Sequence, residues 1–73
     1  MTVTLDVFEE GGRWFAEARE VCVVGDGATR EAALVKAKSG VLLLIIDELE
    51  SGARDVAALD QVAFAVADAP RAA

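Results

Sequence analysis

Between Thr29 and Gly52 the chain carries one long, well-bounded helical pattern, and in 73 residues that single element decides most of what can be built. The Thr29 hydroxyl can accept from the backbone N–H groups of the first turn, and Glu31 sits where the positive end of the helix dipole favours an acid. The helix is therefore predicted to start near Arg30 and to end near Ser51, with Gly52 free to take the left-handed conformation after the last turn. Upstream, Gly25-Asp26-Gly27 reads as a turn leading into it. Gly40, in the middle, costs about 1 kcal/mol against alanine, which a close approach to a sheet or to another helix would explain.

Apolar residues occupy more than half of this helix's circumference. On a wheel they form two arcs. Ala33, Leu34, Ala37, Val41, Leu44 and Ile45 form one, expected to pack on a sheet. Val35, Leu42, Ile46 and Leu49 form the other, while Lys36, Ser39, Asp47 and Glu50 hold the wet side and Leu43 stands alone there. A helix serving one sheet needs one stripe, so the second arc calls for a second surface. Two candidates would supply it: a C-terminal segment folded back over the arc, or a further copy of the chain. The second makes Val35, Leu42, Ile46 and Leu49 the expected interface of a homodimer or higher oligomer.

Size supports association. A 73-residue chain makes one domain, near the lower limit at which a core holds without disulfides, metal or a partner. At 55% hydrophobic and 27% charged the composition is globular, and the longest apolar run, Val41 to Ile46, is far too short to cross a bilayer. No membrane association is expected, and without a leader-like N-terminus the reading is cytoplasmic. Cys22, the single cysteine, excludes an internal disulfide and, set in an apolar run, reads as a small core residue.

Three β-patterned runs precede the helix. Thr2 to Phe8 alternates, with Val3, Leu5 and Val7 on one face, and Arg13 to Arg19 alternates as well. Joining them through Glu9-Glu10-Gly11-Gly12 pairs Val7 with Trp14, Leu5 with Ala16 and Val3 with Ala18, which places all six on one face. The other face is mostly polar but carries Phe8 and Phe15, expected to form a local cross-strand cluster, with a partner-contact role as the alternative. Val21 to Val24 follows as a third strand. After a connection over Asp55 to Asp60, Val62, Phe64 and Val66 alternate in phase and favour a fourth strand over Gln61 to Asp68; alanines at 63, 65 and 67 leave a helix as the alternative. The predicted fold class is α+β: a two-layer β-β-β-α-β domain over residues 1–69, with a three-stranded antiparallel sheet plus a C-terminal strand packed on one long helix, and a frayed tail at 70–73.

The catalytic inventory is short. With no histidine and no tyrosine, the commonest general base, the histidine-dependent nucleophile pairs and every histidine metal site are missing. Asp6, Asp26, Asp47 and Glu48 are the only carboxylates worth weighing as a two-metal cluster, yet Asp47 and Glu48 are adjacent on a helix and point about 100° apart. They read as a solvated acidic helix end, which solubility or a basic partner would justify. Gly25-Asp26-Gly27 lacks the spacing and the lysine of a phosphate loop. No enzyme activity, cofactor or metal is expected. The net charge of −6 and the scattered basic residues argue against direct nucleic-acid binding; the acidity either favours a basic protein partner or only keeps a small, very apolar protein in solution.

Two segments resemble the HicB-like antitoxin domain of prokaryotic toxin–antitoxin systems: Phe8-Glu9-Glu10-Gly11-Gly12-Arg13-Trp14-Phe15-Ala16, similar to the family's acidic, glycine, aromatic hairpin, and Gly25-Asp26-Gly27-Ala28-Thr29-Arg30-Glu31-Ala32-Ala33-Leu34, similar to its Gly-Asp, Thr, Glu-Ala helix start. The resemblance runs from about Val3 to Leu49. It implies a truncated ribonuclease-H-like layer without nuclease activity, often dimeric or higher, that binds and occludes a small basic RNA-cleaving toxin of the HicA type. After Gly52 there is room only for a strand and a tail, so a stand-alone module lacking the family's DNA-binding extension is expected. Phe8, Phe15, Asp47 and Glu48 would be its partner contacts. The alternative is an orphan homo-oligomeric structural protein of the same fold with no toxin partner.

Overall fold

The computed structural model describes residues 1–68; the expected frayed tail at 70–73 lies outside them. Strands β1 (Thr2–Glu10), β2 (Arg13–Ala18) and β3 (Val23–Gly27) are followed by helix α1 (Arg30–Glu50), a 3-10 helix (Val56–Gln61) and strand β4 (Ala63–Asp68). The four strands form one mixed sheet in the order β3-β2-β1-β4, with β4 parallel to β1 and the other pairs antiparallel. Helix α1 packs on one face, giving the two-layer α+β architecture. No helix among the described residues is long and apolar enough to cross a membrane.

The β1–β2 hairpin differs by two residues from the expected register. Val7 faces Ala16, Leu5 faces Ala18 and Glu9 faces Trp14. A two-residue hairpin turn matching the strand twist needs positive φ at both central positions, and Gly11 (59°) and Gly12 (80°) supply them. The turn is therefore Gly11-Gly12 alone, and Glu9 and Glu10 belong to β1. Because the slip is even, Val3, Leu5, Val7, Ala16 and Ala18 still share the helix-facing side, where all five are buried. Trp14, expected in the core, is half-buried at its margin.

The third strand is also shifted. Residues 19–22 form the turn, and β3 begins at Val23 and continues through Gly25-Asp26-Gly27, which is strand and not turn. Gly25 pairs with Ala16 and Gly27 with Trp14, so both lie beneath the helix. A Cβ on Gly25 would stand 2.4 Å from the Ala37 backbone nitrogen, and one on Gly27 would stand 2.6 Å from the Ala32 Cβ. The glycines bring helix and strand together instead of reversing the chain. Gly40 obeys the same geometry, since its Cβ would stand 2.7 Å from a Val23 methyl. Cys22, carried into the turn by this shift, is exposed and not a core residue.

Helix α1 is capped at both ends as its sequence requires. The Thr29 side chain accepts from the Ala32 N–H at 3.1 Å. At the other end Gly52 adopts φ 80°, its N–H donates to the Leu49 carbonyl, and the Ala53 N–H donates to the Glu48 carbonyl. That pair of bonds is a Schellman motif, and it satisfies carbonyls the last turn would leave unpaired. Ala33, Ala37, Val41 and Ile45 are the buried helix residues and close the core over Val3, Leu5 and Val7. Leu34 is half-buried, whereas Leu44, expected in this arc, is exposed.

The described part of the C-terminal segment returns to the sheet and not to the outer helix arc. Its final strand joins β1 with Phe64 beside Val3 and Val66 beside Leu5. Arg30 on the helix donates two hydrogen bonds to Asp68, at 2.9 and 3.0 Å, and the Lys38 ammonium lies 5.6 Å from the Phe64 ring centre. Long cationic side chains thus bridge the helix and β4, whose Val66 stays partly open to solvent.

Candidate functional site

Among the described residues, two surfaces stand without a covering layer. The first is the sheet face opposite α1, built by strict alternation: Asp6 and Phe8 from β1, Arg13, Phe15 and Glu17 from β2, Val24 and Asp26 from β3. Phe8 and Phe15 face each other directly, with ring centres 5.4 Å apart and planes 17° apart. This stacked pair is half-buried by its own neighbours.

Charged groups frame the pair in a fixed pattern. Arg13 donates to Asp26 at 2.7 Å, and Arg19 donates to both carboxylate oxygens of Asp6. Lys36 approaches Asp26 from the helix, at 3.5 Å. The hydrogen bonds from Arg13 and Arg19 hold the Asp26 and Asp6 carboxyls below their ordinary range, and Arg19 is raised in turn by Asp6. Where the β1–β2 ladder ends, the Glu20 carboxylate accepts from the Thr4 N–H at 2.7 Å and the Thr4 hydroxyl at 2.9 Å. Those bonds lower Glu20, the backbone one most. The face therefore keeps ionised groups at set positions around an apolar centre.

The second surface is the outer side of α1. Val35 is 64% exposed, Leu42 40%, Leu43 66% and Ile46 45%. Leu49, placed in the same arc, is instead half-buried against the core. Among the described residues, the segment after α1 does not cover this arc.

Asp47 and Glu48 lie on the helix layer, apart from Phe8 and Phe15 on the open sheet face, so the four expected contacts do not form one site. Asp47 is exposed. Glu48 is half-buried and accepts from Arg54 Nε at 2.7 Å, while Arg54 also reaches the Met1 sulfur at 3.4 Å. An ion pair pins this acid, which is not freely solvated. Among the described residues no three His, Cys, Asp or Glu side chains converge as a ligand set.

The ion pairs framing the aromatic pair escape sequence reasoning at the two-residue register slip, because only the observed pairing sets Phe8 opposite Phe15 and Phe15 opposite Asp26. No protein-family model matches the chain, and no curated protein or solved structure matches it.

Proposed function

We propose that this protein is a non-catalytic interaction module resembling a HicB-like antitoxin, which binds and neutralises a small basic RNA-cleaving toxin in the cytoplasm and associates with itself through the outer arc of α1. The observation that carries the reading is the uncovered sheet face, where the Phe8–Phe15 pair sits among carboxylates whose arginine partners hold them ionised. A net charge of −6 adds long-range attraction for a cationic protein. The Gly11-Gly12 hairpin and the Thr29-capped helix, which carry the family resemblance, are both formed. The absence of histidine and tyrosine supports binding over catalysis.

The test is functional. Expression of a small basic ribonuclease encoded beside this chain should arrest growth, and co-expression of the chain should relieve the arrest. The double variant Phe8→Ala/Phe15→Ala should stay folded by circular dichroism and bind that toxin at least about tenfold more weakly, as loss of a central aromatic anchor predicts. A neighbouring gene encoding nothing of the kind, together with a pull-down that returns only the chain itself, would leave the orphan homo-oligomer as the reading.

A further inference from the structure

Six positions of α1, Ala32, Val35, Ser39, Leu42, Ile46 and Leu49, recur at spacings of three, four, three, four and three residues. That is the repeat of a coiled-coil seam: its middle, Val35, Ser39, Leu42 and Ile46, is exposed on the side of the helix away from the sheet, while at its two ends Ala32 approaches Gly27 and Leu49 is half-buried against the core. Small and large side chains are segregated along it, with Ala32, Val35 and Ser39 toward the N-terminus and Leu42, Ile46 and Leu49 toward the C-terminus. Charge is segregated in the same sense. Residues 30–38 carry Arg30, Lys36 and Lys38 against one acid, Glu31; residues 47–50 carry Asp47, Glu48 and Glu50 and no base.

In an isolated helix this charge order is unfavourable, because bases stand at the positive end of the dipole and acids at the negative end. An antiparallel neighbour reverses the relation. We infer that α1 pairs antiparallel with α1 of a second copy about a two-fold axis near Gly40, making a four-layer sheet–helix–helix–sheet dimer in which Ala32, Val35 and Ser39 pack against the partner's Leu49, Ile46 and Leu42. This register deepens the self-association part of the proposed function and is independent of whether a toxin also binds.

Three features fix the register. Each layer then joins a small residue to a large one, so no layer is empty or overfilled. Helical side chains lean toward their own N-terminus, so antiparallel partners about five residues apart along the axis converge. On one flank of the seam that rule brings Lys36 to the partner's Glu50, twice by symmetry. It also brings Leu43 to the partner's Leu43 across the axis, which gives the most exposed leucine of the helix a place to be buried. Lys36 is 68% exposed, and its contact with Asp26 is a loose 3.5 Å, so it is the flank's accessible base.

Sedimentation of the purified chain at about 50 µM should show a dimer. Ile46→Asp should give a folded monomer, checked by an unchanged helical signal. Lys36→Glu and Glu50→Lys should each weaken the dimer about tenfold, and the double variant should recover most of the loss, as paired flanking charges do. In a Cys22→Ser background, Leu43→Cys should form an intermolecular disulfide under mild oxidation, whereas Glu17→Cys on the open sheet face should not. A monomeric wild type would overturn both this inference and the self-association reading. A dimer that Ile46→Asp disrupts, but without charge-swap recovery or cross-linking through Leu43→Cys, would overturn the antiparallel register alone.

Discussion

The two sides of helix α1 are both apolar, yet they differ in a way that composition hides. The N-terminal half of the side against the sheet is built from small residues, Ala33 and Ala37 over Gly25 and Gly27, with Gly40 over Val23, and only beyond it do Val41 and Ile45 enter the core; the outer side carries Val35, Leu42, Leu43 and Ile46 in the open. Buried and exposed therefore do not sort by hydrophobicity. Within the inner side, size follows how closely two backbones approach: where helix and strand nearly touch, at Gly25 and Gly27, an added methyl has nowhere to go. The inner side is a finished contact. The outer side has the residue sizes of a contact still to be made.

Each of the following tests would break that contrast or sharpen it, and the largest effect is expected on the inner side. Gly25→Val places a branched side chain where even a Cβ would stand 2.4 Å from the Ala37 backbone nitrogen. It should cost about 3 kcal/mol or more, or prevent folding, in urea unfolding. Next come two adjacent isoleucines that differ only in the side they occupy. Truncating the buried residue, Ile45→Ala, should cost about 3 kcal/mol through transfer loss and cavity formation. Ile46→Ala should cost less than about 0.5 kcal/mol when unfolding is measured at concentrations where the chain is monomeric. Equal effects at the two positions would mean that the outer side is as packed as the inner.

The caps come next in size. Thr29→Ala removes the acceptor for the Ala32 N–H and should cost about 1 kcal/mol whichever side of the helix is considered.

The smallest effect is electrostatic and belongs to the open sheet face and the helix bridge. Hydrogen bonds from Arg19, Thr4, Arg13 and Arg30 lower Asp6, Glu20, Asp26 and Asp68 respectively. Each group favours the folded state while ionised. Its contribution is therefore complete above the ordinary values of 3.8 for aspartate and 4.5 for glutamate, and is lost as pH falls through the lower folded-state values. The melting temperature should be nearly flat from about pH 5 to 8, since no histidine titrates there, and should decline below about pH 4.5. Salt should reduce this slope, because all four groups are at the surface. A titration step between pH 6 and 7 would contradict the assignment.

Elements set by local pattern were legible before any coordinates. The alternation of Val3, Leu5 and Val7 identified a strand and its buried face, and Thr29 and Gly52 marked both ends of the helix within a residue. The in-phase Val62, Phe64 and Val66 pointed to a fourth strand. Features that depend on pairing were not legible. The hairpin shifted by two residues because the turn geometry, not the hydrophobic pattern, chooses between registers that leave the same side chains buried. Gly25-Asp26-Gly27 looked like a turn because glycine has two uses, freedom of the backbone and absence of a side chain, and only the neighbouring helix reveals that the second applies.

By itself, then, the sequence determined the kinds of element, their order, the buried face of the first hairpin and the absence of histidine and tyrosine chemistry, since periodicity, capping and composition act within a few residues of chain. The tertiary structure alone decided which strands are neighbours, that β4 runs parallel to β1, that Cys22 lies outside the core and that residues 53–68 leave the outer side of α1 uncovered. Those outcomes turn on contacts between residues distant in sequence, where the spacing of two backbones selects among arrangements that the local pattern leaves equal.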